Sequence, residues 1–487
     1  ATTAGNSSNR YELAQLSYVY RVNYSYDNRY LIELNGRYDG TSRFMKDQRW
    51  NFFPSFSLGW NVARENFWKP LESVVNQFKL RGSWGELGNQ NTSNLYPFYE
   101  ILPVKSNSGN WLVNGGKTNT ADIPSLVSTL LTWERVRSFN VGFDFGAFSN
   151  RLTGSFDYFV RKTVDMVGPA PQLPLVLGIA PAIVNNADMK SYGFEIELSW
   201  RDRIGEVDYG VKFNLADAQQ KVVKYPNTTN AFSDWYAGKM SGEIWGYTSL
   251  GIAKTDEEMK EHLASLPNGG QNQLGNKWGA GDIMYADING DGKIDGGKGT
   301  LADPGDQRII GNSTPRYNFG LVLDASYKGF DVSIFFQGVG KRDYAPIVGT
   351  NGAVFWGAVN NIWQSMAMEE HFDYFRPEGH PMGANLNGYY PRPDFTSNKN
   401  HQVQTRYLQD ASYIRLKNLQ IGYTLPKQWI NKLHINRCRV YVSGDNLWTG
   451  TSLASMFDPE TLAAGDWGSG KTYPLSKVIS FGLNVNF

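Results

Sequence analysis

Cysteine is almost absent from this sequence: among its 487 residues only Cys438 carries a thiol. A single thiol cannot form an internal disulfide, which excludes a small fold held together by disulfides. No run of about 18 apolar residues occurs either, so the sequence contains no transmembrane helix. Residues 1–9 are polar and resemble a loop rather than a signal peptide.

An excess of one charge is also lacking, because 47 Lys and Arg residues nearly balance 46 Asp and Glu residues, giving a net charge of +1. This balance argues against a nucleic-acid partner bound by a basic surface. Aromatic residues (14%) and 51 glycines are abundant instead. The mean hydropathy of −0.43 is low, but it does not exclude a membrane protein, because the strands of a membrane barrel alternate polar and apolar residues.

Thirteen segments alternate in this way with a period of two, which is typical of strands that have one apolar and one polar face. The last of them, 479–487, places Ile479, Phe481, Leu483 and Val485 on one face and ends on Phe487. Nine residues is about the length that a tilted strand needs to cross a bilayer. A soluble β-sandwich could show the same alternation, so alternation alone does not decide between the two folds.

The lengths of the connections favour the membrane fold. Connections after odd-numbered segments are short, whereas those after even-numbered segments are mostly long, with extremes at 218–316 and 339–412. Such sorting is typical of an outer-membrane barrel, which has periplasmic turns at one rim and extracellular loops at the other. We therefore predict an all-β fold over residues 1–487: a transmembrane, antiparallel, up-and-down β-barrel in the lipid of a bacterial outer membrane.

The number of strands carries a further expectation. Bacterial single-chain barrels have even strand numbers with both chain ends in the periplasm. Thirteen is odd, and the last segment must end at the periplasmic rim, so the first should begin at the extracellular rim. We therefore expect this chain to be the C-terminal part of a larger barrel, with the early strands absent.

Several stretches, in order along the chain, resemble one family, the SusC/RagA-type TonB-dependent outer-membrane transporters of Bacteroidetes. They are 53–60, 78–90, 287–295, 306–312, 413–426, 444–448 and the terminal Phe487. The resemblance covers essentially the whole chain and implies a barrel of about 22 strands closed by an N-terminal plug. It also implies a SusD-like surface lipoprotein as a lid and import of oligosaccharides or peptides driven by the TonB complex. The plug and the TonB box are absent from this sequence.

The sharpest local motif lies in the predicted loop 218–316 and matches the start of a calcium loop, with alternating oxygen ligands and a glycine at the sixth place. The twelfth position is Lys298, where a carboxylate is expected, but Asp303 or Asp306 could fold back to replace it. The alternative is a loop of Asx turns without a metal, because Asp, Asn and Gly favour turns. The candidate ligands of a structural Ca²⁺ are Asp287, Asn289, Asp291, the carbonyl of Lys293, Asp295 and Asp306.

Tryptophans in the predicted loops are candidates for substrate binding. Aromatic faces beside Asn, Asp and Tyr side chains suit a sugar, and they also suit a peptide or a docked lipoprotein. The alternative is that these rings pack the loops into small cores of their own. The candidates are Trp235, Trp245, Trp278, Trp356 and Trp363.

Catalytic patterns are weak. The five histidines are scattered, and Glu369–His371 lacks the second histidine of a zinc-binding helix. Glu195 and Glu197 lie two apart on one strand, so they would not straddle a substrate as the two carboxylates of a glycosidase do. We therefore predict an importer rather than an enzyme. The alternatives are a passive porin or structural barrel and, third, a soluble glycan-binding β protein.

Overall fold

Thirteen strands form one antiparallel sheet in simple chain order in the computed structural model. The structure describes residues 12–487 apart from 91, 93–94, 170–173, 175, 177, 180, 347–353, 358–367, 395–396, 432–433 and 463–471. The predicted strand number and topology are confirmed. The strands are β1 (Gln15–Tyr26), β2 (Tyr30–Thr41), β3 (Trp50–Asn61), β4 (Val75–Asn89), β5 (Glu134–Ala147), β6 (Leu152–Gly168), β7 (Val184–Ile204), β8 (Val207–Lys224), β9 (Arg316–Tyr327), β10 (Phe330–Lys341), β11 (Tyr413–Thr424), β12 (Arg437–Thr451) and β13 (Val478–Asn486).

The two-residue period of the sequence gives the sheet an apolar face and a polar face. Cross-strand neighbours share a face, so Leu80 on β4 lies opposite Phe143 on β5, while Lys79 lies opposite Asp144. On the apolar face the ring of Phe143 lies 5.9 Å from that of Phe78 and 5.6 Å from that of Phe156, as centroid distances. Such cross-strand aromatic pairs stabilise a sheet. Apolar side chains across this face are exposed, which indicates a surface that another medium covers.

Short turns join the strands at one rim of the sheet, here called the short-turn rim. Asp27 and Asn28, between β1 and β2, have φ of 50° and 49°, and Lys328 and Gly329, between β9 and β10, have φ of 46° and 89°. Positive φ at both central residues matches the twist of paired strands. The predicted hairpin at Lys328–Gly329 is confirmed. The longer joins at this rim contain the 3₁₀-helices Val62–Arg64 and Asn66–Leu71 and the short helix Lys427–Ile430.

The long connections leave the opposite, long-loop rim. The two longest begin later than the predicted bounds of 218 and 339, because β8 continues to Lys224 and β10 to Lys341. They therefore span 225–315 and 342–412. None of the helices in the described ranges is both long and apolar enough to cross a membrane. The connections contain the helix Asp256–Ala264, the 3₁₀-helices Lys46–Gln48, Glu369–Phe372 and Thr405–Tyr407, and the short strands Val104–Lys105, Leu112–Val113, Gly116–Lys117, Thr120–Ala121, Glu243–Gly246, Ser249–Ile252, Ile283–Tyr285, Arg308–Asn312, Asp343–Tyr344 and Gln409–Asp410.

The described residues of three of these connections, 225–315, 342–412 and 452–477, fold together around one hydrophobic core, and we call them the loop unit. Its core combines side chains from all three, including Tyr285 from the first, Phe355 and Tyr407 from the second and Phe457 from the third. Tyr285 and Phe355 are fully buried. The sheet exposes its apolar residues on one face, whereas the loop unit buries its own as a water-soluble domain does.

Candidate functional site

The polar face of the sheet carries charges of both signs, and Arg81 on β4 links two carboxylates. Its guanidinium lies 2.9 Å from Asp144 on β5 and 2.6 Å from Asp157 on β6. Arg81 reaches across β5 because its cross-strand partner there is Gly142. A Cβ at Gly142 would lie 2.6 Å from the Asp157 carboxylate, so any side chain would disturb this bridge. On the β1–β2 hairpin, Arg21 forms a simple ion pair with Glu33 at 2.6 Å.

The carboxylates of Glu195 and Glu197 lie on the same polar face, opposite Asp157 and Ser155 of β6. Both side chains are exposed. They follow one another along a single strand, as the sequence predicts, and do not face each other across a gap. These two glutamates therefore do not form the pair of opposed carboxylates that glycoside hydrolysis needs.

A fully buried carboxylate, Asp282, joins the first two connections of the loop unit. It receives two hydrogen bonds from Arg392, at 2.8 and 2.6 Å, and one from Lys399 Nζ at 3.0 Å. Asn400 donates a fourth at 2.8 Å. Removing one partner of such a buried pair is costly because the other charge stays buried. Sequence reasoning missed this cluster, because its members lie more than a hundred positions apart and have no local pattern.

The third connection is held by a second cluster at the long-loop end of β11. Arg415 is almost fully buried and donates to Asp458 at 2.8 Å and to Glu460 at 2.7 Å. Lys417 Nζ also lies 2.6 Å from Glu460. These ion pairs anchor the loop unit to the polar face of the sheet.

The predicted tryptophan ligands have different environments. Trp356 is 1% exposed and packs in the core of the loop unit, with its ring 4.5 Å from that of His401, so it cannot contact a ligand here. For this residue the packing alternative holds. Trp278 and Trp245 are half-buried: Trp278 packs against the same core, and Trp245 stacks on Phe232 with ring centroids 4.6 Å apart.

Trp235 keeps 41% of its surface exposed. It is therefore the predicted ligand residue that the structure leaves most accessible among those it describes. Trp363 lies outside the described residues, so its predicted role stays a prediction.

The calcium-like segment folds as a tight loop closed by its own backbone. The two carboxylate oxygens of Asp287 accept hydrogen bonds from the N–H groups of Gly290, at 2.6 Å, and Gly292, at 2.8 Å. Both glycines have φ of 76°, a conformation that favours glycine. Asn289 accepts from the N–H of Asp291 at 3.0 Å. These contacts are the Asx turns of the alternative interpretation.

Asp306 holds the two ends of this loop together from a fully buried position. Its carboxylate accepts from the N–H groups of Ile288 and Asp295, both at 2.8 Å. Burial raises the pKa of Asp306. The ammonium of Lys293 lies 2.5 Å from Asp295 and lowers the pKa of that carboxyl.

The oxygen donors of the loop are those that calcium prefers, but their arrangement is that of a closed turn. Within the described ranges, no three His, Cys, Asp or Glu side chains converge as a metal-ligand set. The ammonium of Lys293 also lies against one carboxylate oxygen of Asp295. Calcium binding at this loop stays a prediction.

His401 lies in the core of the loop unit with no exposed surface. Neither ring nitrogen has a hydrogen-bond partner within the described part of the chain. Burial lowers the pKa of His401 to about 4, against a smaller opposing effect of the Asp394 carboxylate. The imidazole is therefore neutral in the folded loop unit above about pH 4.

Residues 1–447 match the family model described as TonB dependent receptor-like, beta-barrel. TonB-dependent receptor P3 of Formosa agariphila is 30% identical over 100% of this chain and 47% of its own length. TonB-dependent receptor SusC of Bacteroides thetaiotaomicron is 25% identical over 97% of this chain and 44% of its own. The chain thus spans about half the length of the curated relatives it matches.

Among solved structures, the chain is similar to one titled as the RagAB peptide transporter. The TM-score is 0.72 at 23% identity, and the match covers 98% of this chain and 48% of that one. The same complex titled in its open-open state gives a TM-score of 0.73 at 22% identity. At this level of identity the likeness confirms the fold.

Acid should destabilise the loop unit through His401. The unfolded imidazole takes up a proton near its ordinary pKa of 6.5, whereas the folded one resists protonation until about pH 4. Stability is therefore lost as the pH falls from 6.5 to 4, by up to about 3 kcal/mol. Hydrogen exchange of the loop-unit core measured across this range should show the loss in the wild type. His401→Phe should remove this loss, while the exposed control His434→Asn should keep it. Equal pH dependence in the wild type and His401→Phe would contradict this account.

We propose that calcium binds the 287–295 loop by displacing the Lys293 ammonium from Asp295. Calcium titrated into chelator-treated protein should then give a measurable binding heat and raise the melting temperature. Lys293→Ala should bind about fivefold more tightly, because it removes a competing cation worth about 1 kcal/mol. The control Asp287→Ala should bind none. Absence of binding heat in both the wild type and Lys293→Ala would rule out the metal.

Proposed function

The chain belongs to the TonB-dependent receptor family of outer-membrane β-barrels, and from this we propose that it forms barrel wall and outer loops of an active importer for oligosaccharides or peptides. The observation that carries the proposal is the two-faced sheet with sorted connections. Its apolar face suits lipid, its charged face suits a water-filled lumen, and a folded loop unit stands at one rim only.

In the proposed orientation the short-turn rim faces the periplasm and the loop unit faces the cell exterior, since barrels of this kind keep their short turns inside. Cargo captured among the loops would then pass along the polar face. The ion pairs of that face, such as Arg81 with Asp157, leave the lumen polar without a large excess of one charge. Such a surface suits cargo rich in hydrogen-bonding groups.

We also propose two partners. A SusD-like surface lipoprotein would rest on the loop unit as a lid, because three connections that share one core and two buried ion-pair clusters form a firm platform. The TonB complex would supply energy through parts of the protein outside this chain. The similar structures are titled as a peptide transporter and importer, while the name of the SusC relative states no cargo. Both cargo classes therefore stay within the proposal.

Energy-dependent uptake tests the proposal against a passive porin. Cells that carry the whole protein should deplete oligosaccharides or peptides from the medium, as followed by mass spectrometry. Collapsing the proton gradient should slow this depletion at least about tenfold, to the level of a deletion strain, because a closed importer conducts only when it is energised. If uptake is unchanged when the proton gradient is collapsed and is lost only when the protein is deleted, the result favours the passive porin instead.

A further inference from the structure

An apolar cup lies at the long-loop end of β6, β7 and β8, with a volume of about 550 Å³. Met189 on β7 lies opposite Thr163 of β6 and Val222 of β8, and these positions continue the polar face of the sheet. The cup therefore opens toward the proposed lumen, at the point where the loops meet the strands. Its apolar lining includes Met166, Val167, Ile183, Met189, Val222 and Trp235.

Irregular strand pairing shapes this cup. The register of β6 against β7 shifts on both sides of Met166, and the register of β7 against β8 shifts between Asp188 and Met189. Asp165 has φ of 55°, and its N–H donates to the carboxylate of Asp188 at 3.0 Å. Bulges re-aim side chains, and here two methionines from adjacent strands both line one concavity.

Trp235 is held over this cup by a fixed turn. Lys239 Nζ donates to the carbonyl oxygens of Phe232 and Asp234, both at 2.8 Å, and lies 5.7 Å from the centre of a Trp235 ring. The turn is tied to β8, because the N–H of Val222 donates to the carbonyl of Lys239 at 2.9 Å. Trp235 is thus positioned by its neighbours and still 41% exposed.

The chemistry of the cup favours one class of occupant. Thioether, aliphatic and indole groups adapt to apolar side chains of varied shape. A sugar carries hydroxyl groups over most of its surface and needs polar partners around it. Nine of the twelve residues that line this cup are instead Gly, Pro, aliphatic, Met or Trp, and three are polar: Asp188, Lys224 and Tyr225. Asp188 and Lys224 lie opposite each other across β7 and β8. Among the described residues they form no ion pair with each other, so an anion and a cation stand at the cup.

We propose that this cup binds an apolar side chain of a peptide, while Asp188 and Lys224 bind the N–H and C=O groups of the peptide backbone. A carboxylate and an ammonium at one cup are complementary to a peptide, whose backbone has an N–H donor and a C=O acceptor beside each side chain. The inference rests on the proposed function as an importer and narrows its cargo to peptides with side chains such as Leu, Met or Phe.

The test uses the whole transporter purified in detergent with its lipoprotein. It is incubated with a tryptic digest of casein together with maltohexaose, and the bound fraction is identified by mass spectrometry. Wild-type protein should retain peptides that contain Leu, Met or Phe, enriched at least threefold over the digest. Met189→Gln and Trp235→Ala should abolish this enrichment, because burial of an apolar side chain contributes about tenfold or more to affinity.

Two controls keep the test specific. Trp111→Ala, which removes an exposed tryptophan outside the cup, should retain the enrichment, and Trp235→Phe should largely restore it. Melting temperatures equal to that of the wild type show that the variants fold.

Binding of maltohexaose without peptides, binding of peptides without apolar enrichment, or absence of any bound cargo would each overturn the cup proposal. Energy-dependent uptake is measured in a separate experiment. A negative result for this cup can therefore be told apart from a negative result for the proposed importer function.

Discussion

Pairing of backbone N–H and C=O groups is the constraint on which the rest of this structure depends. A hydrocarbon layer contains no water to bind an unpaired peptide group, so a chain that crosses it by strands must do so in a continuous ladder. From β2 to β12 every strand is paired on both sides. The edges of β1 and β13 are unpaired within the described sheet, and in a bilayer we expect other strands of the same barrel to cover them.

In a continuous ladder the side chains alternate between the two faces of the sheet. One face is therefore apolar and the other polar, and each suits a different medium. The apolar face displays Val22, Leu58 and Phe481 with about half or more of each side chain exposed, a pattern that water alone would not stabilise. The loop unit beyond the long-loop rim reverses this arrangement and buries Phe355 and Tyr285. One chain thus contains a membrane-type surface and a water-soluble core, joined where Arg415 binds Asp458 and Glu460.

Much of this architecture could be predicted from the sequence, because strand periodicity and turn residues are local signals. All thirteen strands and the Lys328–Gly329 hairpin follow from such patterns. The end of β8 could not, because residues 217–224 lack a clean alternation and are held by pairing with β7. The roles of Trp356 and Trp235 could not be told apart either, since burial depends on segments that meet only in the folded loop unit. Asp282 and Lys399 lie 117 positions apart, and no local pattern links them.

Accessibility on intact cells tests the central claim that the sheet crosses the membrane with the loop unit outside. Two single-cysteine variants in a Cys438→Ser background suffice: Lys298→Cys in the loop unit, where the side chain is 81% exposed, and Glu206→Cys in a short turn, where it is 61% exposed. A membrane-impermeant maleimide should label the first on intact cells and the second only after the outer membrane is permeabilised. Labelling of both on intact cells, or of Glu206→Cys alone, would contradict the account.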